Sequence, residues 1–155
     1  IPGTENWPLF KANRSERFEG RVSSVKISAG TTSVLLAGME GTSIPVAVAH
    51  GEGRASFAEH GDLKALSAGN LVPVRYVDGN GEVTQQYPLN PNGSPEGIAA
   101  VQTPDGRVLA IMPHPERVVA AESNSWFPTE KRAEWKGKGP WFRIFQNAYA
   151  FATKA

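Results

Sequence analysis

A chain of 155 residues with 16 Lys and Arg against 15 Asp and Glu carries a formal charge of +1, and its scattered basic residues leave no footprint for nucleic acid or an anionic membrane. With 40% hydrophobic and 20% charged residues, the composition excludes a disordered polymer and suits one domain with a buried core. There is no cysteine, which excludes a disulfide framework and any thiol chemistry by this polypeptide alone, and fits a reducing, cytoplasmic setting.

Ile1 to Pro8 combine neither a basic start nor an apolar run, so no signal peptide is expected. No stretch is long and apolar enough to span a bilayer. Arg21 to Ile27 alternates apolar and polar residues, which predicts a half-buried strand. Ile44 to Ala49 reads as a buried strand running into a glycine loop, His50-Gly51-Glu52-Gly53. Asp62 is placed to cap a short helix over Leu63, Ala65 and Leu66, stopped near Gly69. Leu71 to Val77 is β-rich, Asp78-Gly79-Asn80-Gly81 marks a tight turn, and Val83 to Tyr87 is expected as the return strand. Asn90-Pro91-Asn92-Gly93-Ser94-Pro95 is a rigid polar loop.

Thr103-Pro104-Asp105-Gly106 between two apolar runs, Gly97 to Gln102 and Arg107 to Met112, predicts a hairpin. Glu122 to Gly139 is irregular and contains Trp126 and Trp135. A closing helix is expected after Pro140, with Trp141, Ile144, Phe145, Ala148, Phe151 and Ala152 at helical spacing as a core-facing stripe. Strands outnumber helices, which fits a piece of an α/β domain better than a whole one. No repeat or linker divides the chain, so residues 1–155 are read as one partial domain.

The stretch richest in chemistry is Met112-Pro113-His114-Pro115-Glu116-Arg117-Val118. A proline fixes its own φ and pushes the preceding residue out of the helical region. The segment is therefore expected to be extended, which puts His114 and Glu116 on one side. A carboxylate beside an imidazole fixes the ring's tautomer and stabilises its charged form, as a base and its orienter do in a catalytic triad. The alternative is a surface turn with two unrelated polar residues. His50-Gly51-Glu52-Gly53-Arg54 reads equally as a backbone clamp for a ligand or as a plain turn. His60 is expected on the surface. Three dispersed histidines without cysteine argue weakly for a metal, and no phosphate-binding glycine loop is present. Asn13-Arg14-Ser15 and Asn92-Gly93-Ser94 match glycosylation sequons by chance.

These motifs together resemble one family, the glutaminase domain of formylglycinamide ribonucleotide amidotransferase (phosphoribosylformylglycinamidine synthase) in its large, single-chain form. The segments that carry the resemblance run in order along the chain. They are Ile1-Pro2-Gly3, Arg17-Phe18-Glu19, His50-Gly51-Glu52-Gly53-Arg54, Arg75-Tyr76-Val77-Asp78, Tyr87-Pro88, Asn90 to Pro95, Met112 to Val118, Ser123-Asn124-Ser125-Trp126 and Gly139-Pro140-Trp141.

The resemblance implies the C-terminal portion of a flavodoxin-like, class I glutamine amidotransferase α/β domain, with a mixed sheet, hairpins and a C-terminal helix. It implies a Cys-His-Glu triad in which His114 is the base and Glu116 its orienter. The cysteine, in a G-x-C-N-G-type elbow, is expected upstream of Ile1, so these residues alone should be inactive. Backbone groups of His50, Gly51 and Glu52 are expected to help hold glutamine. No cofactor or metal is expected in this part; ATP and Mg²⁺ belong to the synthetase part. The implied partners are glutamine and the remainder of the protein, with its synthetase domains and ammonia channel. A glutaminase-like module that binds or regulates without catalysis is the competing reading. A serine hydrolase using Ser123 or Ser125 is weaker, because no G-x-S-x-G elbow is present.

Overall fold

The computed structural model describes residues 1–125, 128–135 and 137–153; Trp126 of the Ser-Asn-Ser-Trp motif lies outside them. Strands and helices alternate irregularly in chain order: β1 (Leu9–Ala12), β2 (Glu19–Ile27), β3 (Ser43–His50), β4 (Glu52–Ser56), α1 (Leu63–Ala68), β5 (Val74–Tyr76), β6 (Ile98–Gln102), β7 (Leu109–Ile111), α2 (Arg132–Trp135) and α3 (Phe142–Ala152). Single turns of 3-10 helix fill several connections, including Pro115–Val118. No described helix is long and apolar enough to cross a membrane.

Five strands form the main sheet in the order β3-β2-β5-β6-β7, and β1 pairs with β4 in a separate ribbon. Each of these ladders is antiparallel. The expected mixture of strand directions is thus absent among the described strands. Parallel neighbours need a crossover of a dozen or more residues, usually helical, and among the described residues the α-helix that lies between strands of this sheet, α1, has six residues.

β6 is buried at all five positions, as a central strand covered on both faces should be. Its Ala99 and Ala100 join one apolar cluster with Val25, Val46, Tyr76, Val118 and Trp141. Its Ile98 and Val101 join a second with Ala55, Leu66 and Val72. A single bridge between Ala47 and His114 links β3, at one edge, to the chain leaving β7 at the other. The sheet therefore curls back on itself, and the histidine segment lies where the curl closes.

Local signals explain much of this. Asp62 accepts a hydrogen bond from the Ala65 backbone N–H at 3.0 Å and caps α1, which stops at Gly69. Asp78 closes its turn by accepting from the Asn80 and Glu82 N–H groups. The β6–β7 turn ends on Gly106 at φ +69°, where a Cβ would stand 2.0 Å from the Thr32 carbonyl oxygen; only glycine fits.

Two further expectations fail. Val83 to Tyr87 makes one bridge, Val77 to Val83, and no strand. Its apolar residues Val83 and Tyr87 are exposed. The stripe on α3 is also only partly a core stripe. Trp141 at its start is fully buried and Ile144 packs against the core, whereas Phe145, Tyr149 and Phe151 are exposed.

Candidate active site

The chain leaves β7 with the Met112 N–H donating to the Ala99 carbonyl at 3.0 Å. Two residues later the His114 N–H donates to the Ala47 carbonyl at 2.7 Å. His114 has φ −107° and ψ 80°, outside the helical region as a residue before proline should be. Extension stops there, because Pro115–Val118 is a 3-10 turn with Pro115 at its start. Proline restricts the residue ahead of it but is well suited to open a helical turn, which the extended reading overlooked. The turn swings Glu116 back toward the ring, and His114 Nδ1 donates to Glu116 Oε1 at 2.9 Å. The contact expected from the spacing forms, by a different backbone route.

A neutral imidazole carries one proton. With it on Nδ1, facing the carboxylate, Nε2 keeps its lone pair. The side chains of His114 and Glu116 remain 28% and 53% exposed, so the pair lies at the protein surface. Arg117 Nε stands 3.7 Å from the same Glu116 oxygen. The arrangement suits proton transfer to and from a group presented at this surface.

His50 ends β3 and lies inside the protein, 8% exposed. Its Nδ1 donates to the Met112 carbonyl at 3.2 Å, and its ring centroid is 6.3 Å from that of His114. Asn92 Nδ2 approaches its Nε2 at 3.5 Å. The glycine loop expected after β3 is instead a hand-over between sheets. Only Gly51 separates β3 from β4, and Glu52 sits exposed opposite Ala12. The His50 carbonyl accepts from Asn13 Nδ2 at 2.7 Å and the Gly51 carbonyl from the Asn13 backbone N–H at 2.8 Å. Gly53 is needed for packing, since a Cβ there would stand 2.5 Å from His50 Nε2. His50, His114 and Glu116 are thus brought together, while Glu52 lies on the ribbon. His60 is exposed.

Burial pushes the His50 pKa down; the Met112 hydrogen bond opposes this, nearby His114 adds to it and Glu19 opposes it. A folded-state pKa below the unfolded value, near ~6.5 for histidine, means that the fold favours the neutral ring. Its stabilising contribution is complete above the unfolded pKa and is lost as pH falls through the folded one. The denaturation midpoint of wild type is therefore expected to fall between about pH 7.5 and about pH 5.5 more steeply than that of His50→Gln. Equal slopes in denaturant titrations at these pH values would contradict the assignment.

Several polar residues that frame this site were not singled out by sequence. Asn92 is fully buried; its Nδ2 donates to the Gly53 carbonyl at 2.8 Å and its Oδ1 accepts from Ser94 Oγ at 2.8 Å. Ser94 Oγ accepts in turn from the Ala55 N–H at 2.9 Å. Asn13 is buried as well, so neither sequon asparagine is presented on the surface. Glu19, opposite His50 in the β2–β3 register, is buried, accepts from Ser15 Oγ at 2.5 Å and pairs with Arg21. The cue in the sequence was the density of Asn and Ser in the Asn90 to Pro95 loop. Asn124 of the Ser-Asn-Ser segment closes its own turn through the Ala120 and Ala121 carbonyls.

Residues 1–152 match a CobB/CobQ-like glutamine amidotransferase domain. The chain is 51% identical over 154 residues to phosphoribosylformylglycinamidine synthase of Saccharomyces cerevisiae, an alignment that takes in 96% of this chain and 11% of the yeast protein. Among solved structures, PurLQS from Thermotoga maritima matches with a TM-score of 0.63 at 24% identity, over 94% of this chain and 53% of that one. That likeness shows a shared mixed α/β fold. The chain spans only a part of either relative.

Proposed function

The chain belongs to the CobB/CobQ-like glutamine amidotransferase domains, and from that premise we propose that it is the acid–base portion of a glutaminase within a cytoplasmic phosphoribosylformylglycinamidine synthase of purine biosynthesis. The observation that carries the reading is the 2.9 Å hydrogen bond from His114 Nδ1 to Glu116, which leaves Nε2 free. No residue of the chain is a cysteine, so the nucleophilic thiolate is assigned to a part of the protein outside these residues.

The thiolate attacks the side-chain carboxamide carbon of glutamine. Backbone N–H groups stabilise the resulting oxyanion. Protonated His114 Nε2 gives its proton to the departing nitrogen, the C–N bond breaks, and ammonia and a thioester remain. Neutral Nε2 then takes a proton from water as the water oxygen attacks the thioester. Glutamate leaves and the thiolate is restored. Glu116 holds the ring in one tautomer and stabilises the cation formed in each half-reaction. The backbone at His50, Gly51 and Glu52 is the proposed edge against which glutamine lies.

Ammonia then passes through the remainder of the protein to the synthetase part. There ATP with Mg²⁺ supplies the activation of the formylglycinamide oxygen, and formylglycinamidine ribonucleotide results. Among the described residues no cluster of His, Cys, Asp or Glu is placed to hold a metal ion. The lack of cysteine also favours a second reading, a glutaminase-like module that binds or regulates. Comparing glutamine with supplied ammonia as nitrogen donor in the complete protein, with His114 intact or replaced, separates the two. Glutamine-dependent synthesis indifferent to His114 supports the module.

A further inference from the structure

The segment that presents His114 is pinned to the sheet at three points. The Met112 N–H is held by the Ala99 carbonyl on β6, the Met112 carbonyl by His50 Nδ1, and the His114 N–H by the Ala47 carbonyl. Two of these come from β3, from residues three apart. The middle one is the only side chain among them. Pro113, between the pinned residues, has no N–H with which to make a compensating bond.

The ring that makes this bond is itself held. A carbonyl can only accept, so Nδ1 of His50 carries the proton and Nε2 the lone pair. Nε2 faces the Asn92 amide. Gly53 closes against the ring without room for a Cβ, and Asn92 fastens the Gly53 carbonyl. Ser94 holds Asn92 in turn and is itself tied to the Ala55 N–H on β4. A continuous chain of hydrogen bonds thus runs from the Asn92 loop through His50 to the backbone two residues ahead of His114. At 8% exposure His50 lies inside the frame.

We infer that His50 is a positioning residue for the glutaminase reaction: its Nδ1–H bond to the Met112 carbonyl, braced by Asn92 and Gly53, sets where His114 Nε2 stands. The inference rests on His114 being the acid–base group. A misplacement of a reacting group by about 1 Å costs about 100-fold. The effect belongs to turnover, not to glutamine binding, because the His50 side chain is buried against the Met112 carbonyl and the proposed glutamine edge is backbone, which a substitution at His50 keeps.

The test uses the complete protein with His50→Asn, His50→Gln, His50→Phe and His114→Ala. An asparagine amide nitrogen takes the place of Nδ1, and a glutamine amide nitrogen the place of Nε2. His50→Asn is expected to keep most of the glutamine-dependent kcat. His50→Gln and His50→Phe should lose up to about 100-fold in kcat, with KM for glutamine and ammonia-dependent synthesis unchanged. Asn and Gln variants that are equally impaired, a Phe variant that matches wild type, or parallel loss with ammonia would overturn the inference while leaving the role of His114 intact. Unchanged glutamine use in His114→Ala would instead overturn the reading on which it rests.

Discussion

Replacing His114 by alanine in the complete protein is expected to lower glutamine-dependent synthesis by roughly 10²- to 10⁴-fold, the usual worth of a positioned acid–base group. Synthesis from supplied ammonia should be unchanged. The split between donors matters because a structural role predicts equal loss with both. His114 contributes its N–H to the Ala47 carbonyl, and alanine keeps that bond, so the sheet closure survives the substitution. What disappears is the imidazole and its contact with Glu116. Steady-state rates with the two nitrogen donors give the answer directly.

Trp141→Ala is expected to produce the largest loss of stability of any single truncation at the start of α3. The ring is fully buried in the main cluster, and its Nε1–H donates to the Pro45 carbonyl at 2.7 Å. Truncating a buried tryptophan costs about 3–5 kcal/mol, a large share of the ~5–15 kcal/mol that holds a domain together. For a chain of this length that corresponds to a fall in Tm of roughly 6–20 °C. Phe145→Ala, on the exposed side of the same helix, should shift stability by no more than about 0.5 kcal/mol. Thermal denaturation of both variants checks the pair; similar shifts would mean that α3 sits on the core differently.

That pair also shows where sequence patterning stops being informative. Helical spacing grouped Trp141 and Phe145 in one stripe, because periodicity reports which residues share a face and not what covers it. A similar limit applies to Val83 to Tyr87, expected as the return strand after the Asp78 to Gly81 turn: a turn signal reports that the chain reverses and not that the returning segment pairs along its length. Features set by local chemistry were legible. The Asp62 cap, the Asp78 turn, the Gly106 hairpin and the His114–Glu116 contact all depend on residues a few positions apart. The frame of the site was not, because Asn13, Glu19 and Asn92 are polar residues that ordinarily face water. Their burial follows from bonds to strand ends and to neighbours that only the folded chain brings near.

The proposed division of labour, with the imidazole and its carboxylate in this chain and the thiol elsewhere, is tested most directly by glutamate release from the purified 155-residue polypeptide. No release above background is expected. Turnover of glutamine by this polypeptide that His114→Ala abolishes would contradict the account.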